Sequence, residues 1–293
     1  MRVPIVISLA LGCALLVSCD GKNAADHAVD DGILIFGNSS EPQGLDPQRV
    51  SGVLESNIIR ALFEGLCLEH PSRNGTALPG AAASWEANED FSVWTFHLRP
   101  EGVWSDGRPV TTKDFLYSYQ RMLTPDFGAD YAEMLYYIKG AEEYHKKETT
   151  NFADVGVKAI DDLTLELTLR GSIPFLPEIT KHYTWYPIPR HVVMDFNHGK
   201  IDDPDTIWTM PGNLVSNGPF TLTSWRINDH VAVTKNPRYW DAASMKLSGI
   251  RFLPVINTYT EARMFFNGQM HITYTLPPEF IPYANENYSE QVR

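Results

Sequence analysis

The chain is poor in the residues that would commit it to covalent chemistry or to a cross-linked framework. Of its three cysteines, Cys13 and Cys19 fall within the first twenty residues and Cys67 stands alone in the remainder. One thiol makes no internal disulfide, so the fold does not rest on a disulfide framework, and Cys67 between Leu66 and Leu68 reads as a small buried hydrophobe. Positive charge is also scarce: 24 Lys and Arg against 36 Asp and Glu leave a net charge of −12. Such a surface cannot neutralise a row of phosphates, which excludes nucleic acid as a partner. Beyond the first seventeen residues no apolar run approaches the ~20 residues that span a bilayer. No G-x-S-x-G elbow, glycine-rich phosphate loop or H-E-x-x-H pattern occurs, so the signatures of hydrolases, phosphate-loop proteins and zinc proteases are missing. The nine histidines are scattered. His191 and His198 sit in a polar stretch and read as solvent-facing rather than as metal ligands. The acidic pairs Glu142-Glu143, Asp161-Asp162 and Asp202-Asp203 read as turns and solvated faces. Neither catalysis nor a cofactor is expected.

What is present begins with an address. Arg2 and the free amine form a small positive region, and Ile5 to Val17 is apolar. That is the length of a signal-peptide core and too short to span a bilayer. Leu16-Val17-Ser18-Cys19 looks like a bacterial lipobox, in which the Cys19 sulfur is lipidated after cleavage and becomes the first mature residue. Residues 1–18 are therefore predicted to be a signal peptide, and residues 19–31, polar and acidic through Asn23, Asp26, Asp30 and Asp31, a lipidated tether. The acyl anchor is the expected membrane contact.

Along the body, Ile33 to Phe36 reads as a buried strand and Glu41 to Pro47 as a Pro/Gly loop. Apolar residues at 58, 59, 62, 63 and 66 predict one helix over Ile58–Leu68. Trp94, Phe96 and Leu98 alternate with Val93, Thr95 and His97, a half-buried strand followed by the Asp106-Gly107 turn. Thr111 with Asp114 forms a capping box opening a helix through Phe115, Tyr119 and Met122, stopped at Thr124-Pro125. A second amphipathic helix is predicted over Ala132–Lys147. Val155–Leu169 reads as a hairpin about Asp161-Asp162, and Phe220–Val233 as another about Asn228-Asp229. Thr258 to Glu261 repeats the capping-box signature, its helix ends at Asn267-Gly268, and Met270-Ile272-Tyr274 is predicted as the last strand. Strands and helices mix without a regular βαβ beat, which predicts a mixed α/β protein of at least two lobes. The seven Trp, thirteen Tyr and fourteen Phe belong mostly to the core. In an exported chain without a catalytic set they also suit a receptor that encloses a ligand.

Ordered blocks then carry a resemblance across the body of the chain. They are Glu41-Pro42 to Leu45-Asp46-Pro47, Glu55-Ser56-Asn57, Leu62-Phe63-Glu64-Gly65-Leu66, and Trp94-Thr95-Phe96-His97-Leu98-Arg99. Trp104-Ser105-Asp106-Gly107 follows with Pro109-Val110-Thr111 and Asp114-Phe115, then Val157 to Asp162, Ser216-Asn217-Gly218-Pro219 and Tyr239-Trp240. On these the chain resembles the bacterial extracellular solute-binding proteins of family 5, and within them the peptide binders.

The resemblance implies a periplasmic-binding-protein type II-like, two-lobed fold of the large peptide-binding cluster. Residues 32–66 and 176–270 would form a discontinuous domain I, 67–175 an inserted domain II, and 271–293 the start of the hinge and of a third domain that the sequence to Arg293 does not include. It implies a monomer that holds oligopeptides on the outer face of a cell membrane or in the periplasm and delivers them to the permease and ATPase subunits of an ABC importer. An extended peptide would be held through its backbone, with side chains in wet pockets. The family positions that line the cleft map to Ser51, Gly52 and Val53 on a domain I edge, to Tyr131 and His182, and to Tyr274 and Thr275 on the hinge side. Thr275 stands where the peptide binders usually carry Asn, and His271 where an acidic residue is common. Other ligands of the family stay open (nickel chelates, haem, a cell-wall peptide), as does a non-transport lipoprotein with a chaperone-like or sensory role.

Overall fold

The structure is a computed structural model that describes residues 21–291. The leader and Cys19, with its expected lipidation, lie outside the described residues. The stretch expected as a tether is not extended: it carries helix α1 (Ala24–Asp30). Asn23 caps it, accepting from the Asp26 amide at 2.9 Å while Asp26 accepts from the Asn23 amide at 3.1 Å. An Asn-x-x-Asp box was concealed by the acidic composition around it. The helix is docked, its Ala25 amide donating to the Gly268 carbonyl at 2.8 Å.

The chain continues through β1 (Ile33–Gly37), α2 (Val53–Leu62), β2 (Cys67–Glu69), β3 (Ala77–Pro79), β4 (Ala82–Ala87), β5 (Val93–Leu98) and α3 (Thr112–Leu123). After a 3₁₀ turn at Ala132–Leu135 come α4 (Ala141–His145), β6 (Val157–Ala159), β7 (Thr164–Thr168) and α5 (Leu176–Ile179). A second 3₁₀ turn, Tyr183–Trp185, precedes α6 (Arg190–Phe196), β8 (Phe220–Arg226), β9 (His230–Lys235), β10 (Gly249–Leu253), α7 (Thr258–Phe266) and α8 (Ile281–Asn287).

Two four-stranded sheets organise these elements, and the mixed α/β class is as expected. The first has the order β1-β10-β9-β8; β1 runs parallel to β10, with Phe36 opposite Phe252, and the other pairs are antiparallel. The second, β4-β5-β7-β6, is antiparallel throughout. In it the predicted alternation is realised: Trp94, Phe96 and Leu98 are buried on one face, opposite buried Leu165 and Leu167 of β7. Period-two burial on one face sets the register, because a one-residue slip would turn every apolar side chain to water. One apolar cluster includes residues of both sheets, Val231 and Phe252 of the first and Phe96 and Leu165 of the second, together with Phe63, Trp185 and Trp208.

Tertiary hydrogen bonds override the local pattern in three places. The helix predicted over Ile58–Leu68 starts earlier and stops at Leu62, where the Leu62 carbonyl accepts from Gly218 at 2.8 Å. Beyond it the Glu64 amide donates to Asn217 Oδ1 at 3.0 Å and the Glu64 carbonyl accepts from Asn217 Nδ2 at 2.9 Å. These bonds take the backbone groups that a longer helix would have used. The single helix predicted over Ala132–Lys147 is broken at Gly140, which adopts φ 74°. There the Lys139 amide donates to Thr168 and its carbonyl accepts from Gly156, extending the β7 edge instead. The last strand predicted over 270–274 shrinks to one bridge, Phe36 with Ile272. In α7 the cap is Asn257, which accepts from the Thr260 amide at 2.9 Å, while Glu261 turns inward and is fully buried.

Candidate functional site

The loop that enters α2 collects the side chains expected to line a cleft. Tyr131, from the turn after α3, donates its hydroxyl to the Ser51 carbonyl at 3.1 Å, and Ser51 Oγ donates to Asp130 Oδ2 at 3.1 Å. Tyr183 donates to the neighbouring Val50 carbonyl at 3.1 Å. His182 stacks on Tyr183 with ring centres 4.3 Å apart and meets Tyr131 edge-on at 6.1 Å. Segments near residues 51, 131 and 182 thus converge, although nothing in their spacing announces it.

The conformation of the loop differs from an edge strand. Gly52 is extended at φ −86°, ψ 151° but serves as the N-cap of α2, and Val53, the first helical residue, is 62 % exposed. Two carbonyls are already engaged, Ser51 by Tyr131 and Gly52 by the Ser56 amide at 3.1 Å. Glycine at 52 has a specific cause: a Cβ there would come within 1.8 Å of Glu55 Oε2. Glu55 is itself buried and accepts from the Gln43 amide at 2.7 Å.

The surroundings of His182 favour its neutral form. Burial first, then the nearby Arg60 cation, push its imidazole below the ordinary value, with Glu69 opposing. Its Nδ1 lies 2.9 Å from Thr184 Oγ1 and caps the Tyr183–Trp185 turn. Burial likewise pushes the Tyr183 phenol upward, so it remains a hydroxyl donor.

Tyr274 and Thr275 belong to a second group. The Tyr274 amide donates to Glu261 Oε1 at 3.0 Å, and the Thr275 carbonyl accepts from Thr273 Oγ1 at 2.6 Å. Both line a cavity of about 620 Å³ shared with Phe265, Phe266, His271 and Tyr288. The end of β1 links the two groups. Asn38 Nδ2 donates to the Leu54 carbonyl in the first turn of α2, while Gly37 abuts the Glu261 carboxylate, where a Cβ would sit 1.9 Å from Oε1.

Sequence reasoning missed a buried polar knot around Glu64. Glu64, 1 % exposed, accepts from the Tyr239 hydroxyl and from Trp240 Nε1 at 2.9 Å, and the Arg99 guanidinium lies 3.6 Å over the Trp240 ring. Burial pushes the Glu64 carboxyl up to about 7, against the pull of these donors and of Arg99. An acid set between Phe63 and the run Gly65-Leu66-Cys67 was the available signal. Among the described residues no group of three His, Cys, Asp or Glu is arranged to hold a metal ion, and no helix is long and apolar enough to cross a membrane.

Comparison with known proteins establishes the family. Residues 76–293 match the middle-region model of the bacterial extracellular solute-binding proteins, family 5. The periplasmic oligopeptide-binding protein OppA of Salmonella typhimurium is 37 % identical over 292 residues, covering 95 % of this chain and 50 % of that protein. The periplasmic murein peptide-binding protein MppA of Escherichia coli is 33 % identical over 273 residues, covering 90 % and 48 %. Among solved structures, Burkholderia pseudomallei OppA superposes with a TM-score of 0.82 at 31 % identity, covering 89 % of this chain and 49 % of that one. Haemophilus influenzae OppA in complex with RPPGFSPFR gives 0.81 at 31 % identity, covering 88 % and 48 %. The chain spans about half the length of the curated relatives it matches. It belongs to the bacterial extracellular solute-binding proteins of family 5.

Proposed function

We propose that this chain is the oligopeptide-binding part of an exported, lipid-anchored receptor serving an ABC importer. In this reading residues 32–66 with 176–270 form one lobe and 67–175 the other, with 271–293 leading into the hinge. The sheet of β1 with β8–β10 and the sheet of β4–β7 support that division. Ser51, Gly52 and Val53 present backbone to an extended peptide, Tyr131 and His182 wall its side, and Tyr274 and Thr275 face it from the hinge. Because two carbonyls of the loop are engaged internally, the loop's amides are the groups left to pair with peptide carbonyls. The observation that carries the reading is the convergence of Ser51, Tyr131 and His182 in a chain 37 % identical to a periplasmic oligopeptide-binding protein.

The test is calorimetric titration of the full chain with a mixed-sequence set of short peptides, alongside Tyr131→Phe. Saturable binding that is similar across sequences, weakened alike for all of them in Tyr131→Phe, supports the reading. Absence of binding, or binding confined to one side-chain class, overturns it. A second reading has one observation in its favour. The 620 Å³ cavity is lined by the aromatic residues Phe265, Phe266, Tyr274 and Tyr288, and one relative, 32 % identical over 262 residues, is named a probable deoxycholate-binding periplasmic protein of Escherichia coli. Deoxycholate included in the same titrations discriminates the two.

A further inference from the structure

His271 joins three segments that are far apart in sequence. Its Nδ1 accepts the Ile35 amide of β1 at 2.9 Å, and its Nε2 lies 3.1 Å from the Ala25 carbonyl of α1. Its own amide donates back to the Ile35 carbonyl at 2.9 Å. A carbonyl only accepts, so Nε2 carries the hydrogen; an amide only donates, so Nδ1 carries none. Both nitrogens are therefore committed to the neutral ring in one tautomer. Imidazolium has an N–H at each nitrogen and would set Nδ1–H against Ile35 N–H at 2.9 Å. The ring must then withdraw, and the bond to Ala25 goes with it.

We infer that His271 is a pH-sensitive latch that ties the N-terminal helix α1 to β1 and to the segment following α7, and that opens when its imidazole is protonated. Helix α1 depends on this docking. It has seven residues, none of them buried, and an isolated helix of that length does not persist in water. Among the described residues α1 has one further main-chain tie to this segment, Ala25 N–H to Gly268, three residues before the latch, while β1 is also bonded to it through Gly37 N–H to the Ile272 carbonyl at 2.8 Å. Docking uses Nδ1 as an acceptor and the imidazolium has none, so the docked and protonated forms exclude one another.

The charged and titratable groups on the surrounding elements are exposed or engaged with other partners. On α1, Asp26 is engaged in the capping box and Asp30 pairs with Lys22, and His27 is exposed. On β10, Arg251 pairs in register with Ile35 and is exposed. On α7, Arg263 is exposed and Glu261 receives the Tyr274 amide. Across the cavity stand Tyr274 and Tyr288, with Glu286 exposed on α8.

The experiment is hydrogen exchange of the full chain at pH 8 and pH 5, corrected for intrinsic rates and read on peptides covering residues 24–35. Protection of α1 and of the Ile35 amide is expected to fall about tenfold or more on acidification, the scale of a lost hydrogen bond plus an opposed donor pair. Protection of β5 and β7 should hold. His271→Gln should abolish the step, and His27→Gln should leave it. Equal protection at both pH values, or a step that survives in His271→Gln, overturns the latch. Nitrogen-15 NMR of the wild-type imidazoles at pH 8 decides independently of any variant. Hydrogen on Nε2 of His271 is expected, and hydrogen on Nδ1 overturns the inference.

Discussion

Arg121 and Asp46 form an ion pair from which solvent is wholly excluded. Nη2 lies 2.8 Å from Oδ2 and Nη1 3.2 Å from Oδ1, with neither side chain exposed. Nη1 also donates to Gln48 Oε1 at 2.8 Å, and the guanidinium lies 4.0 Å over the Phe127 ring. The pair fastens the loop before α2 to helix α3, and that loop carries Ser51 and Gly52.

Removing one partner leaves the other charged and unsolvated. Arg121→Met is expected to lower unfolding stability by about 3–5 kcal/mol, and Asp46→Leu by a similar amount. The double variant, with the charge gone from both sides, should cost clearly less than the sum. Chemical denaturation of the three variants measures the coupling; strict additivity would refute the pairing.

Glu64 predicts a pH dependence with a definite sign. Its carboxyl titrates near 7 when folded, against an ordinary value of 4.5. The folded state therefore binds this proton more tightly than the unfolded chain does. The contribution is fully present below about 4.5 and is lost as pH rises through about 7, a swing of about 3 kcal/mol. Glu64→Gln keeps the shape and removes the titration. The wild-type minus variant stability, from denaturant melts at pH 5 and pH 8, should fall between the two; a flat or rising difference would exclude a buried, proton-holding Glu64.

Gly52→Ala should destabilise the chain by about 1–3 kcal/mol, because the new Cβ overpacks the buried Glu55 carboxylate. If the loop amides hold peptide backbone, the same change should weaken peptides of unrelated sequence to a similar degree. Loss confined to one peptide class would count against backbone recognition.

Cys19→Ser should move the protein from the membrane fraction of its host to the soluble exported fraction. A single covalent anchor is the membrane contact read from the leader, and the described residues contain no helix able to cross a bilayer. A variant that still sediments with membranes would falsify lipidation at Cys19.

Much of the local structure was written in short-range pattern. The Thr111–Asp114 box and the residues after it specified α3, with Thr111 N–H donating to Asp114 at 2.9 Å. The alternation at 94, 96 and 98 and at 165 and 167 specified two paired strands and their buried face. The Asn228-Asp229 turn between β8 and β9 was equally plain, with Asn228 at φ 60°. The chemistry of these residues acts on neighbours a few positions away, so the pattern survives in the linear order.

The candidate site was not legible in that way. Ser51, Tyr131 and His182 were named from a family resemblance, and no periodicity links residues 80 positions apart. Arg121 on an amphipathic helix reads as a solvated charge until Asp46 is seen beside it. The helix past Leu62 failed because Asn217, 153 residues away, took the Glu64 backbone bonds. His271 reads as a substitution of no evident role until Ile35 and Ala25 stand on either side of its ring.

By itself, then, the sequence determined the net negative charge, the mixed α/β class and the elements built from contiguous capping and alternation signals. The tertiary structure alone decided where helices stop, which charges are buried, that α1 docks rather than trails as a tether, and which distant side chains share a surface. The reason is physical. Propensity and patterning are local energies summed along the chain, whereas burial, desolvation and hydrogen-bond pairing depend on partners that only the folded topology brings within a few ångströms.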